Sequence, residues 1–296
     1  MSTPVEAPPY PTELQEKVDA YLEELRFAGE PGTARLEEAM RYSLLAGGKR
    51  IRPVLTLATA EAVGRPPDDV LPLAAAIEMI HTYSLIHDDL PAMDDDALRR
   101  GRPTCHVKYG EDVAILAGDA LYAEAFSHLL RAQAGEPARV LAAARELAAA
   151  TGVDGMVGGQ YLDVADVTST PEELRRLHAL KTGRLIGASV VCVLLLEGVE
   201  EAKTAAWRRY ASELGVLFQI VDDILDVTGT DDALGKPQGS DERLGKRTYV
   251  TEYGLDGARR LAGECHAAAR ATLSGSAPAG APELEQITDF IFTRTS

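Results

Sequence analysis

Two aspartate clusters interrupt apolar helical patterns that would otherwise run on, and few folds tolerate that. Asp88-Asp89-Leu90-Pro91-Ala92-Met93-Asp94, followed by Asp95 and Asp96, ends the pattern Leu73–Leu90. Asp222-Asp223-Ile224-Leu225-Asp226 ends the pattern Trp207–Val227. An unpaired charge in apolar surroundings costs roughly several kcal/mol, so each cluster needs a strong counter-charge. Facing each other across a helical bundle, the two would make a divalent-metal site. Hard oxygen ligands with room for water suit Mg²⁺, which commonly bridges to substrate phosphates. The pattern implies handling of a diphosphate through magnesium.

The rest of the chain predicts helices to carry these clusters. Alanine and leucine dominate and aromatics are only 5% of the 296 residues, a balance that favours helix over strand. Helices are expected at about 12–28, 33–46, 51–63, 69–90, 112–133, 137–151, 155–166, 171–197, 201–229, 255–273 and 283–293, with ends uncertain by ~2–4 residues. Thr170-Pro171-Glu172-Glu173 reads as an N-cap, a proline at N1 and acidic first-turn residues. No run alternates with period two for long enough to suggest a sheet. Residues 1–11 are proline-rich and expected to be a flexible tail, leaving 12–296 as one all-α domain, a single helical bundle. The polar segment 230–248 has the look of a lid or binding loop.

Composition excludes several classes. A net charge of −16 argues against nucleic acid as a partner. Cys105, Cys192 and Cys265 are odd in number and far apart, so neither a disulfide framework nor a zinc site is indicated. No basic and apolar leader is visible at the start, and the apolar run Ile186–Leu196 is too short to span a bilayer. The expectation is a cytoplasmic protein with no integral membrane segment.

The two clusters differ in spacing. Asp222 and Asp226 are four apart, on one helix face about 5–6 Å from each other. Asp88 and Asp94 are six apart, which on a continuous helix would separate them by about 240°. Pro91 removes the difficulty by ending the helix, so that the chain loops back towards Asp88. Two solvated helix ends would not sit on such long apolar patterns. An EF-hand loop fails too, because its sixth position, where glycine is needed, would be Met93 or Arg99.

Basic groups stand out in so acidic a chain. Gly47-Gly48-Lys49-Arg50-Ile51-Arg52-Pro53 follows a helix stop and opens the next helix, a combination of exposed N–H groups and cations that cradles phosphate. Arg99-Arg100-Gly101 lies just past the first acidic cluster, Lys181-Thr182-Gly183-Arg184 interrupts an apolar helix, and Lys236 and Lys246 lie in the polar loop. His81 shares a face with Asp88 and reads either as a neutral core histidine or as a phosphate donor. Gln219 shares a face with Asp222, where its amide is able to orient a reacting group.

Together with His81–Asp94, Gly158-Gly159-Gln160, Phe218–Asp226 and Gly245-Lys246, these segments resemble the trans-isoprenyl diphosphate synthases in number, order and spacing over nearly the whole chain. The resemblance implies a helical bundle around a deep central cavity, and a homodimer. It implies that Asp88, Asp94 and Asp222 ligate three Mg²⁺ ions on an allylic diphosphate, supported by Asp89, Asp223 and Asp226. Arg99, Lys181 and Lys236 would grip the same diphosphate, and Lys246 would belong to the loop that closes over it. Gly48, Lys49, Arg52, His81 and Arg100 would receive isopentenyl diphosphate. Thr182 and Gln219 would place dipoles by the allylic cation.

Product length in this family depends on cavity depth below the first cluster. Tyr83 and Ser84, five and four residues before Asp88, lie about one turn deeper, and an aromatic there closes the floor. Tyr83 and the Asp88–Asp94 spacing resemble bacterial farnesyl diphosphate synthases, so farnesyl diphosphate is the expected product and geranylgeranyl diphosphate the alternative. A class I terpene cyclase is disfavoured by the form of Asp222–Asp226 and by the second cationic segment. A non-catalytic prenyltransferase subunit is disfavoured because both clusters are intact.

Overall fold

The structure, a computed structural model, describes residues 10–165, 167, 170–229 and 246–294. The helices are α1 (Thr12–Glu24), α2 (Ala34–Leu44), α3 (Ile51–Ala62), α4 (Leu71–Asp88), α5 (Cys105–Tyr109), α6 (Glu111–Ala132), α7 (Pro137–Thr151), α8 (Met156–Val164), α9 (Pro171–His178), α10 (Arg184–Glu197), α11 (Glu201–Thr228), α12 (Tyr249–Ser276) and α13 (Pro282–Thr293). At the centre stand α4 and α10, whose side chains are apolar nearly all round, so they bury on every side. α6 and α3 pack on α4, while α7, α11 and α3 pack on α10, and α12 runs along α11. The all-α bundle matches the expected fold class.

Local chemistry sets the helix ends. The expected cap at Thr170 is a full capping box, with Thr170 accepting from the Glu173 amide and Glu173 accepting from the Thr170 amide. The helix expected over 171–197 is interrupted by a π turn, Ala179–Gly183, which carries Lys181 and Thr182. The helix expected at 255–273 begins earlier, because Thr248 caps it through the Thr251 amide, and it kinks at Gly254 (φ 69°). A hairpin not expected from periodicity pairs Leu98–Arg99 (β1) with Arg102–Pro103 (β2). Its turn residues Arg100 and Gly101 both have positive φ, 54° and 70°, the left-handed pair that tight hairpins require.

Two expectations need correcting. Tyr10 and Pro11, expected in a flexible tail, are packed: the Tyr10 ring lies tilted against that of Phe290, centroids 4.7 Å apart, and its hydroxyl donates to the Lys49 carbonyl at 2.6 Å. The run Ile186–Leu196 also understates apolar length. Stretches 67–88, 111–132 and 171–197 are long and apolar enough, by length and composition alone, to cross a membrane. Inside the bundle, 61% of the apolar window is buried in the first and third, but only 39% in the second. Cys105, Cys192 and Cys265 are all free thiols.

Candidate active site

A cavity of about 670 Å³ opens between α4, α8, the π turn and α11. On its first wall, α4 ends at Asp88 and the chain folds back through Pro91, so that the Asp94 amide donates to the Asp88 carbonyl at 2.9 Å. This is the return that Pro91 suggested. Asp88 and Asp94 both line the cavity. Burial pushes the Asp88 carboxyl up to about 6, with Asp94 adding to the rise and Lys181 opposing it. Asp89 behaves differently. It is 3% exposed and held by Arg99, whose Nε and Nη2 donate to Asp89 Oδ1 at 2.8 and 2.6 Å.

On the opposite wall α11 runs unbroken through Gln219, Asp222, Asp223 and Asp226. Asp222 is the exposed member, bonded by Arg294 Nη2 at 3.1 Å. Asp223 accepts from Gln219 Nε2 at 2.7 Å and from the Tyr249 amide at 2.6 Å, which ties α12 to α11. Asp226 is buried and faces the cavity. Asp89 and Asp223, expected to support metal binding, thus spend hydrogen bonds on bracing the walls.

Between the walls sit the cations. Gly159 of α8 lies against the π turn so closely that a Cβ would fall 2.2 Å from the Lys181 nitrogen. That approach places Lys181 and Thr182 at the cavity. Lys181 Nζ donates to Asp163 at 2.6 Å, and Lys246 Nζ to Asp94 at 2.9 Å, with Asp163 3.5 Å away. The Thr182 hydroxyl donates to Gln219 Oε1 at 3.1 Å, so the two expected dipoles are joined. Lys236 lies outside the described residues.

A second group of cations gathers at one end. Arg52, His81 and Arg100 line the cavity, and Arg52 Nη1 is 3.4 Å from His81 Nε2. Burial first, and then Arg52, holds the His81 imidazole well below its usual range, so it is neutral. Burial likewise lowers Arg52 to about 10. Gly48 (φ 112°) is required here, since a Cβ would meet the Arg100 guanidinium at 2.5 Å, and Arg100 also donates to the Gly47 carbonyl. Gly48 and Lys49 stand exposed at the rim and do not line the cavity; Lys49 Nζ lies 5.5 Å from the Phe290 ring. Tyr83 and Ser84 are also among the lining residues.

Several residues at the site escaped sequence reasoning. Asp163 shares a helix face with Gln160, three residues before it, which was a usable signal. Gln160 and His178 both line the cavity, and among the described residues their side-chain nitrogens and the Gln160 oxygen are buried with no hydrogen-bond partner. Buried polar groups of this kind call for a ligand or water. Arg294 lies over the Phe218 ring at 4.3 Å, and nothing in the local pattern marked it.

Among the described residues no three His, Cys, Asp or Glu side chains form a ready metal cage. An oxygen-only donor set divided between two walls suits Mg²⁺, which takes one or two carboxylates plus phosphate oxygens and water. The residues therefore fit a metal that arrives with an anion.

Known proteins agree with this geometry. The polyprenyl synthetase family model matches residues 33–273. A geranylgeranyl pyrophosphate synthase of Capsicum annuum, named chloroplastic, is 45% identical over 96% of this chain and 78% of its own length. Geranylgeranyl pyrophosphate synthase 9 of Arabidopsis thaliana, also named chloroplastic, is 45% identical over 88% of this chain and 74% of its own. A geranyltransferase of Helicobacter pylori, crystallised with magnesium and isoprenyl diphosphate, superposes with a TM-score of 0.84 at 33% identity, covering 95% of this chain and 94% of that one. The chloroplastic names of the plant relatives overturn the cytoplasmic expectation. Sequence match and superposition each extend well past the motifs into the whole bundle, and on that extent the chain belongs to the polyprenyl synthetase family of trans-prenyltransferases.

Proposed function

We propose that this enzyme condenses isopentenyl diphosphate with allylic diphosphates, head to tail, and that its main product is geranylgeranyl diphosphate. The observation that carries the condensation is the presence of two anion-binding regions in one cavity. The aspartate walls with Lys181 and Lys246 form one, and Arg52, His81 and Arg100 form the other. A cyclase would need only the first, and a silent subunit would typically lack one aspartate wall.

Asp88, Asp94 and Asp222 would hold Mg²⁺, three ions in the full site, which when bound neutralise the diphosphate as a leaving group. Lys181, Lys246 and Arg99 add positive charge at that end, while the neutral His81 donates at the other. The allylic C–O bond breaks with its electron pair leaving on diphosphate. The isopentenyl double bond attacks the allylic cation, and the proton then lost passes to a diphosphate oxygen. The joined Thr182 and Gln219 dipoles border the cation, where fixed dipoles act most strongly. Lys236 belongs to this reading through the polar loop, which would exclude water.

For product length, the relatives named geranylgeranyl synthases at 45% identity favour the longer chain. Tyr83 supports this. Its ring is engaged edge-on with Tyr122 of α6 at 5.0 Å and with His87 at 5.5 Å, contacts that would hold it to one side and leave the floor open. A homodimer is part of the same reading: Ile115, Leu116 and Leu130 expose one apolar face of α6 for a second copy to cover.

The test is product analysis with Mg²⁺, isopentenyl diphosphate and dimethylallyl diphosphate, followed over time and dephosphorylated. Geranylgeraniol is expected. Farnesol as the end point would restore Tyr83 as a closed floor. Diphosphate release sensitive to EDTA, without condensation, would indicate a cyclase, and no turnover a silent subunit.

A further inference from the structure

Arg50 sits between Lys49 and Arg52, yet it does not reach the cavity. It is 4% exposed and adopts a left-handed conformation (φ 52°), which a non-glycine residue rarely takes. Its guanidinium is fully committed. Nε donates to Asp19 of α1 at 2.8 Å, Nη1 to Glu78 of α4 at 2.8 Å, and Nη2 to the Leu44 carbonyl at 2.9 Å. Glu78 is 2% exposed and lies one turn before His81 on α4.

Glu78 is also the carboxylate that acts most strongly on Arg52, ahead of Asp222. Even so, Arg52 forms no ion pair among the described residues. Its Nε is buried with no hydrogen-bond partner among the described residues, and Nη1 makes the long contact to His81. A half-buried arginine on which a buried glutamate is the strongest carboxylate influence would ordinarily pair with it, because the pair offsets the glutamate's desolvation cost. Here Arg50 occupies that glutamate.

We infer that Arg50 is a positioning residue that holds Glu78 away from Arg52, leaving the Arg52 guanidinium free for the second diphosphate. The inference rests on the reading of Arg52 as part of the isopentenyl diphosphate site. Arg50 acts on that site alone, because the aspartate walls and Lys181 do not touch it. Removing Arg50 leaves an unpaired buried carboxylate, and Arg52 turns to neutralise it.

Steady-state kinetics on the purified enzyme separate this from simple anchoring of the loop. Arg50→Met should raise KM for isopentenyl diphosphate about tenfold, the scale of one charge-assisted hydrogen bond, with KM for the allylic substrate changed by less than about twofold. Adding Glu78→Gln to Arg50→Met should bring the isopentenyl KM back to within about threefold of wild type, since the competing charge is gone. If Arg50→Met does not fold, Arg50→Lys carries the test: it keeps one charge but loses the fork, and the isopentenyl KM alone should rise. A parallel rise in both KM values, or no recovery on adding Glu78→Gln, would overturn the inference. A wild-type enzyme that condenses nothing would instead overturn the proposed function.

Discussion

In the first acidic segment the helix stops at Asp88 and the chain folds back, so that the Asp94 amide meets the Asp88 carbonyl. In the second, Asp222, Asp223 and Asp226 lie within an uninterrupted α11. Opposite backbones nevertheless deliver the same division of labour. In each Asp-Asp pair the first carboxylate is turned to the cavity or to solvent, and the second is a brace. Asp89 locks onto Arg99, and Asp223 locks Gln219 to the start of α12. The braces fix the walls, and Asp88, Asp94 and Asp222 remain where a metal-bound anion would reach them. Adjacent identical residues are therefore not interchangeable, because one side chain in each pair is spent on structure.

The largest expected effects fall on the cavity-facing members. Asp88→Asn and Asp222→Asn should each lower kcat roughly 10²–10³-fold, the scale of losing one preorganised electrostatic partner, with little change in Tm. Rates unchanged in Asp222→Asn would break the symmetry between the walls.

The braces should show the reverse pattern. Asp89→Asn leaves a half-buried Arg99 with only the distant Asp96 carboxylate and should cost about 2–3 kcal/mol in denaturant melts, below the ~3–5 kcal/mol of a fully buried pair because a third of Arg99 is exposed. Asp223→Asn should cost about 1–2 kcal/mol, since the amide oxygen keeps only one of the two bonds donated by Gln219 and the Tyr249 amide while the packing stays. A large loss of rate in Asp89→Asn without loss of stability would show that it ligates metal after all.

The first wall should also respond to pH. A carboxyl raised to about 6 in the folded protein is charged only above that value. The cost of holding Asp88 charged is full above about pH 6, shrinks as the pH falls from there, and is gone below the ordinary value of 3.8, so acidification relieves the metal-free fold at this residue. Binding of Mg²⁺ needs the charged form. The rise in Tm produced by Mg²⁺ with diphosphate should therefore shrink between about pH 7.5 and about pH 5, and a constant rise would contradict the role of Asp88.

The smallest effect is expected at Arg294. Its partner Asp222 is more than half exposed, so the pair contributes at most about 1 kcal/mol. Arg294→Ala should change kcat/KM by less than about fivefold. A larger loss would mean that the end of the chain belongs to the catalytic site itself.

The aspartate segments, Lys181, Thr182, Gln219, Arg52 and His81 were legible because each combines a polar side chain with an apolar helical setting. The return at Pro91 was legible because proline cannot continue a helix. The hairpin at Leu98–Arg102 was not, since two-residue strands have no measurable period and the signal lay in the conformation of Arg100. The π turn was hidden because one extra residue hardly disturbs a helical pattern. Tyr10 and Arg294, near opposite ends of the chain, are fixed by tertiary contacts with Lys49, Phe290, Phe218 and Asp222. No local pattern encodes a meeting of that kind. The partner of Asp89 was hidden for the same reason, because Arg99 arrives by way of the hairpin.

The claim that the two walls act together on one magnesium-bound anion is tested most directly by calorimetric titration of inorganic diphosphate. The wild-type protein should bind it with Mg²⁺ present and only weakly without, and Mg²⁺ alone should bind weakly, because no cage of three carboxylates is preformed among the described residues. Asp88→Asn and Asp222→Asn should each abolish the Mg²⁺-dependent part. Diphosphate binding of equal strength with and without Mg²⁺, or binding undisturbed by substitution on one wall, would contradict a shared site.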